Sequence, residues 1–367
     1  MAGTKSPLTG TYLDSFFGGH FAPATKYAGY DGIIIRGRAE ELCYVSIEDD
    51  TVVIKSAAAM RGLGTIAAAE AVKKDLEDFD YTVSTIGKAG EKGVLYSLIG
   101  CEYNRQAGRG GAGAVMGSKN LKAVAVKGSN LVHVHNQEKF ARAVLTARKE
   151  LAESGDVKAL ANSGMAMAVE FANEVGVLPT KNYKYATYEH ASQLGDAGQE
   201  RHLWIKSSAC MGCPIAYEVG GEPWQGQQLD PNGVEGKGES VCRLQNLQAG
   251  TDTLTKCDFG GFGISTQTYC DLLEAATGIR LKPHDFDLLG ERIWNITGLF
   301  NLREGIDSAD DTLPKRFVEE ALPDGPAKGH RISGEDMSFM LKEYYQARGW
   351  SESGIPTEAT VRRLGLQ

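Results

Sequence analysis

Two stretches of the chain hold residues whose types and spacing could do chemistry. The first is a glycine loop. Gly108, Gly110, Gly111, Gly113 and Gly117 fall within ten residues, flanked by Arg105, Arg109 and Lys119. Glycines let main-chain N–H groups approach an anion closely, and the cationic side chains add attraction. Phosphate is the natural guest. The plainer alternative is a tight β-turn region with ordinary surface charges. Gly108, Gly110 and Gly113 match G-x-G-x-x-G formally, yet no clear strand precedes them, no long helix follows and no acidic residue stands at the ribose position. A dinucleotide fold is therefore excluded, and the lack of a Gly-Lys-Ser/Thr step excludes a nucleotide P-loop. A second pair, Gly18-Gly19, reads by itself as a turn.

The second stretch is Cys210-Met-Gly-Cys213-Pro. A single C-x-x-C leaves zinc, iron–sulfur, a redox disulfide or no site at all open, and no thioredoxin-like βαβ pattern surrounds it. A tetrahedral centre needs about four ligands, and Cys242 and Cys257 are the nearest further thiols in sequence. Cys43, Cys101 and Cys270 sit in apolar patterns and are expected to be buried structural thiols. His133 and His135 alternate in Leu-Val-His-Val-His, which predicts one strand face, more plausibly solvated than metal-binding. Asp310-Asp311 reads as charge at a helix N-terminus. Trp204, Trp224, Trp294 and Trp350 read as core or interface residues.

These residues must be positioned by the elements around them. Gly32–Arg38, Leu42–Glu48 and Thr51–Lys55 are short β-branched runs, the last two joined by an Asp49-Asp50 turn. Tyr81–Ile86, Val94–Ile99 and Leu121–Val126 continue the β pattern, interrupted by one alanine-rich helix at about Leu63–Leu76. From Asn136, a plausible N-cap, the period becomes helical. Helices are predicted at Asn136–Leu151, at Asp156–Val175, along Phe286–Phe300 with Gly305 as the stop, and around Met340–Tyr345 with Gly349 as the stop. The division is placed near residue 130, with a β-rich domain over 1–130 and a helical region over 131–367. The fold class is α+β.

Composition narrows the function. The chain has 367 residues and a net charge of −8, with a pI near 5.5, which argues against a nucleic-acid partner. No secretory pattern opens the sequence and no apolar run is long enough to span a membrane. Seven scattered cysteines suit a reducing compartment better than a disulfide framework, so a cytoplasmic location is expected.

Together the motifs resemble the tungsten-containing aldehyde:ferredoxin oxidoreductase family. The likeness runs through Thr4–Gly10, Gly18-Gly19, Ala28–Asp31, Ala89–Glu91, Ala107–Lys122 and Cys210-x-x-Cys213-Pro-Ile. It ends with Gly290–Asn295, Asp310–Phe317, Gly325–His330 and Arg348–Trp350. The resemblance implies a β-rich base for a tungsten (or molybdenum) bis-molybdopterin cofactor, covered by helical domains that supply a [4Fe–4S] cluster. It implies oxidation of a small aldehyde to a carboxylate, with electrons leaving to ferredoxin or a similar acceptor. Carried over by position, the pterin base includes Gly18, Gly19, Arg105, Gly108, Gly110 and Gly111. Asp252 stands at the acidic position of the family's D-x-x-G-x-C motif, and Cys210, Cys213 and Cys257 match three of its four cluster cysteines. No catalytic residue can be carried over.

The sequence departs from the family pattern in four ways. Tyr217 stands where the remaining cluster cysteine is expected, and Thr255 stands at the motif glycine. The chain starts late against the pattern. A long piece is absent around 220–232, with Asp230–Gly233 as the point of rejoining. These departures keep a second expectation in view: a catalytically inactive structural or electron-transfer subunit or fragment, assembled as a homo-oligomer or with a full-length relative.

Overall fold

The structure, a computed structural model, describes residues 1–102, 105–164, 166–195, 213–215 and 233–366. Cys210, Tyr217, Trp204, Trp224 and Asp230 lie outside these residues. The chain divides into two compact units, Met1–His133 and Val134–Gln367.

The first unit is built on a six-stranded sheet and a separate hairpin. The hairpin pairs β1 (Ala2–Lys5) with β2 (Tyr12–Ser15). The sheet comprises β3 (Cys43–Glu48), β4 (Thr51–Ser56), β5 (Thr82–Thr85), β6 (Ile99–Cys101), β7 (Arg105–Ala107) and β8 (Leu121–Lys127), in the order β4-β3-β8-β5-β6-β7. Only the β3–β8 pair is parallel. Asp49 turns β3 into β4 at φ +47°, a left-handed conformation that a short polar side chain tolerates.

β8 is buried along almost its whole length because both sheet faces are covered. Ala123 and Ala125 face Leu42, Tyr44, Val72 and Val83, under helix α2 (Thr65–Asp75). Val124 and Val126 face Ala28 and Ile47, beside helix α1 (Phe21–Tyr27). The period of two that sorts these side chains is the ordinary strand period. Two short helices complete the unit, α3 (Lys88–Glu91) and α4 (Ala112–Ser118).

Three β expectations are corrected. Gly32–Arg38 forms no strand. Ile33 and Ile35 pack beside the α1 cluster while Ile34 is exposed, so the segment has a strand's alternation without a ladder partner. Val94–Ile99 is mostly turn: Gly93 takes φ +68°, Val94 N donates to Ala89 O and Ser97 N to Val94 O, and the strand begins only at Ile99. His133 and His135 share no strand. The unit boundary falls between them, and His135 N donates to Ala276 O.

The second unit is helical. It contains α5 (Gln137–Glu153), α6 (Gly155–Ser163), α7 (Ala166–Glu174), α8 (Ala191–Leu194), α9 (Lys237–Asp252), α10 (Thr266–Thr277), α11 (Pro283–Arg303), α12 (Lys315–Glu319), α13 (Gly334–Arg348) and α14 (Glu358–Arg363). Asn136 caps α5 through its side chain, which accepts from Lys139 N at 2.9 Å. The helix expected over Asp156–Val175 is two helices, because Gly164 takes φ +58° between them.

Helix α9 packs on α11 and α13, and Arg348 pins them together. Its guanidinium is fully buried. It donates to Gln245 Oε1 at 2.6 Å, Cys242 O at 3.2 Å and Tyr344 Oη at 3.1 Å, as well as to Asn246. It also lies over the Trp294 ring. A buried cation needs such a set of acceptors to offset its lost hydration. Trp350 donates to Asn295 Oδ1 at 2.8 Å. Asp311 accepts from Tyr345 Oη at 2.5 Å, a tertiary tie rather than a helix-terminal charge.

Candidate functional site

The glycine loop leaves the sheet edge at β7 and enters α4. Arg105 and Ala107 are buried on that strand, whereas Gln106, Gly108 and Arg109 are exposed. The turn is held by the β1–β2 hairpin. Ser15 Oγ accepts from Arg109 N at 3.2 Å, and Ser6 Oγ donates to Gly110 O at 2.8 Å.

The glycines divide into two groups. A Cβ at Gly111 would stand 1.9 Å from Leu95 O, one at Gly113 2.3 Å from Leu98 O, and one at Gly117 1.9 Å from Gly90 O. These glycines let α4 press against the backbone of residues 90–98. Gly111 also takes φ +85°, which favours glycine in its own right. Gly108 is different: nothing lies within 4 Å of where its Cβ would stand. A ligand can therefore approach the main chain at Gly108, beside the exposed Arg109.

Gly19 takes φ +99° and faces the Glu102 carboxylate. Glu102 Oε1 accepts from His20 N at 2.6 Å and lies 2.8 Å from His20 Nδ1. Glu102 directly follows β6, which pairs with β7. The fold thus brings the Gly18-Gly19 turn against the β6–β7 hairpin that launches the glycine loop. Glu102 gave no signal in the sequence, because its role depends on a contact 82 residues away.

In the helical unit, Asp252 ends α9. Gln248, one turn earlier, donates from Nε2 to Asp252 Oδ1 at 3.0 Å and to Asp258 Oδ1 at 2.7 Å. Burial, then the nearby charge of Asp258, pushes the Asp252 carboxyl up to about 6. Thr255, where the resemblance places glycine, takes φ +50°, so the main chain keeps a glycine-like turn with a β-branched residue in it. Cys257 is exposed just beyond. Gln248 could have been found as the i−4 neighbour of Asp252 on one helix face; Asp258 could not.

Cys213 is half-buried against the apolar cluster of Leu151, Val157, Leu160 and Ile215, which also receives Phe259, two residues after Cys257. The two thiol-bearing segments therefore meet on one patch of core. Among the described residues no group of three His, Cys, Asp or Glu side chains is set to hold a metal ion, and Cys210 lies outside them. Cys242 is buried in α9, where burial raises its thiol pKa. Cys101 and Cys270 are buried and Cys43 is partly so. Burial raises all three, Cys101 to about 11, which suits packing rather than ligation.

Comparison with known proteins links both units to redox enzymes. The model of the aldehyde ferredoxin oxidoreductase N-terminal domain matches residues 1–128. The model of domains 2 and 3 of the same family matches residues 142–218 and 216–366. The chain is an oxidoreductase by class and belongs to the aldehyde ferredoxin oxidoreductase family. It is 28% identical over 525 positions to the tungsten-containing aldehyde ferredoxin oxidoreductase of Pyrococcus furiosus, covering 99% of this chain and 86% of that one. The Pyrococcus horikoshii enzyme of the same name is also 28% identical, over 534 positions, with 100% and 87% covered. It is 32% identical over 226 residues to the WOR-like subunit of an aliphatic sulfonate oxidoreductase from Pyrococcus furiosus, covering 58% of this chain and 36% of that protein.

An alignment of 525 positions against a chain of 367 residues leaves at least 158 positions of the first relative without a counterpart. The break between the matched pieces of domains 2 and 3 falls at residues 216–218. By fold, the chain resembles the BamBC active-site complex of benzoyl coenzyme A reductase, determined with 1,5-dienoyl-CoA, at a TM-score of 0.68 and 20% identity over 99% of this chain and 85% of that one. The α+β expectation, a β-sheet unit followed by helices, is borne out. No helix among the described residues is long and apolar enough to cross a membrane.

Proposed function

We propose that the chain is a shortened aldehyde-oxidising enzyme that holds a tungsten (or molybdenum) pterin and an iron–sulfur cluster and acts in the cytoplasm. The observation that carries this reading is the division within the glycine loop. Gly111, Gly113 and Gly117 are explained by packing, and Gly108 is not: it leaves main chain open beside Arg109. That is where a pterin phosphate would be received, with Gly18, Gly19, Arg105, Gly110 and Gly111 fixing the shape of the cradle. Asp252 suits a pterin ring, because a carboxyl pushed to about 6 can accept or donate a hydrogen bond near neutral pH. Cys210, Cys213 and Cys257 would hold the cluster.

When bound, the metal–pterin group supplies the oxidation and the [4Fe–4S] cluster passes electrons on singly. The overall step is balanced: aldehyde and water yield carboxylate, three protons and two electrons, the electrons leaving to a ferredoxin-type acceptor. The chain's part is to orient the cofactor and to keep charge near it compensated. Expression with tungstate, anaerobic purification and elemental analysis for W, Mo and Fe test this, followed by aldehyde-dependent reduction of a viologen dye. Metal with turnover is expected; protein free of all three metals and without turnover rejects the reading.

A second reading, an inactive structural or electron-transfer subunit paired with another copy or a full-length relative, draws on the at least 158 positions of the first relative that have no counterpart here. It is distinguished by iron without tungsten or molybdenum.

A further inference from the structure

The helical unit contains a cavity that none of the residues above uses. It encloses about 680 Å³, within the range that takes a small organic ligand. Its walls come from residues 176–186, 233–237 and 316–340.

The lining has two characters. Leu178, Phe317 and Met340 give an apolar wall. Lys184, Lys237, Arg316 and Arg331 bring four cations against two acids, Glu320 and Asp336. Asp336 is already committed: its Oδ2 accepts from Ser333 N at 2.9 Å and from Ser333 Oγ at 2.6 Å, closing the cap of α13. Cations outnumber acids in the lining.

Arg316 is one of these cations. It donates through Nη2 to Asn182 O and lies over the Phe317 ring. Its Nε–H is buried and has no hydrogen-bond partner. A buried donor without an acceptor is costly, so the side chain gains by turning toward an acceptor that arrives. A guanidinium fork backed by an aromatic ring is the usual receptor for a planar carboxylate.

We propose that this cavity binds a small organic acid: one carboxylate held by Arg316, on an apolar or aromatic body lying along Phe317, Leu178 and Met340. None of the residues assigned to the redox reading lines this cavity, and binding there needs no cofactor, so its test is independent of turnover.

Isothermal titration of the purified chain with three probes decides the matter. Benzoate carries head and body, benzyl alcohol the body alone and inorganic phosphate the anion alone. Benzoate is expected to bind saturably, at least tenfold more tightly than either of the others. Arg316→Gln should weaken benzoate tenfold or more and leave benzyl alcohol unchanged, and Arg316→Lys should fall between. If Arg316→Gln does not fold, Arg316→Lys and Lys184→Gln carry the comparison, each weakening benzoate without altering benzyl alcohol. Equal binding of all three probes, no saturable benzoate binding, or benzoate affinity unmoved by the folded variants overturns the proposal.

Discussion

Asp252 and Asp258 share one amide. Gln248 Nε2 donates to the first at 3.0 Å and to the second at 2.7 Å, so two carboxylates are held together at the end of α9 with a single neutral donor between them. Lys256 Nζ, 3.1 Å from Asp258 Oδ1, balances Asp258 more than Asp252.

The protonation of Asp252 follows from that arrangement. Its carboxyl is raised to about 6 by burial and by Asp258, while an unfolded aspartate titrates near 3.8. Between those values the folded chain holds the extra proton, so stability falls as pH rises through this window and stays lowered above it. Asp252→Asn removes the penalty. The variant should melt higher than the parent at pH 7 to 8, by about 1 kcal/mol once solvent screening of this half-exposed group is allowed for. The two melting curves should converge below about pH 4. A difference that does not change with pH would show that Asp252 is not the titrating group.

Thr255 bears on the same turn. At φ +50° it occupies the left-handed region, which costs an L-residue about 1–2 kcal/mol, and β-branched residues suit it worst. Its side chain is exposed, so little packing is lost on removing it. Thr255→Gly should stabilise by about 1 kcal/mol or less, because glycine's greater freedom in the unfolded chain offsets part of the gain. Thr255→Ala keeps the strain and should bring no gain. Urea unfolding of the three proteins checks the order, and a Thr255→Ala gain matching that of Thr255→Gly would remove strain as the cause.

The division within the glycine loop predicts opposite behaviour at two glycines. Gly117→Ala must displace the Gly90 carbonyl, 1.9 Å from the new Cβ, and should cost about 1–3 kcal/mol or more. Gly108→Ala meets nothing within 4 Å and should unfold within about 0.5 kcal/mol of the parent. On the redox reading it nevertheless lowers the tungsten or molybdenum retained per chain. A Gly108→Ala protein with full metal content would move the cradle elsewhere.

What could be read in advance depended on whether the determining contacts were local. The Asn136 cap, the Gly305 and Gly349 stops and the Asp49 turn are set by neighbours a few residues away, and each is found in the fold. Leu121–Val126 was legible because a strand covered on both faces is largely apolar, although the one charge in it, Lys122, is buried as well. Gly32–Arg38 misled because alternation records burial, not hydrogen-bond partners: Ile33 and Ile35 pack as a strand would, but no ladder forms. The site divides in the same way. The cluster of loop glycines was visible, but which of them serve packing depends on Leu95, Leu98 and Gly90. The Glu102–His20 tie crosses the unit and has no local signature.

Beneath the loop lies one buried ion pair, and it carries the last prediction. Lys122 on β8 is fully buried and pairs with Glu91 of α3. Lys122 Nζ also donates to Leu63 O at 2.9 Å, and the Glu91 carboxylate accepts from Gly62 N at 2.9 and 3.1 Å. The pair therefore joins the central strand, the turn before α2 and the helix against which Gly117 packs. Lys122→Met leaves a carboxylate that is 10% exposed with only the Gly62 amide, and should cost about 3–5 kcal/mol. Glu91→Gln keeps an acceptor for Gly62 but strands the ammonium, and should cost a comparable amount. The double variant leaves no unpaired charge, so its loss should be smaller than the sum of the two by about 1–3 kcal/mol. Losses that add in full would mean the two side chains act separately and the pair is not what fixes α3 under the glycine loop.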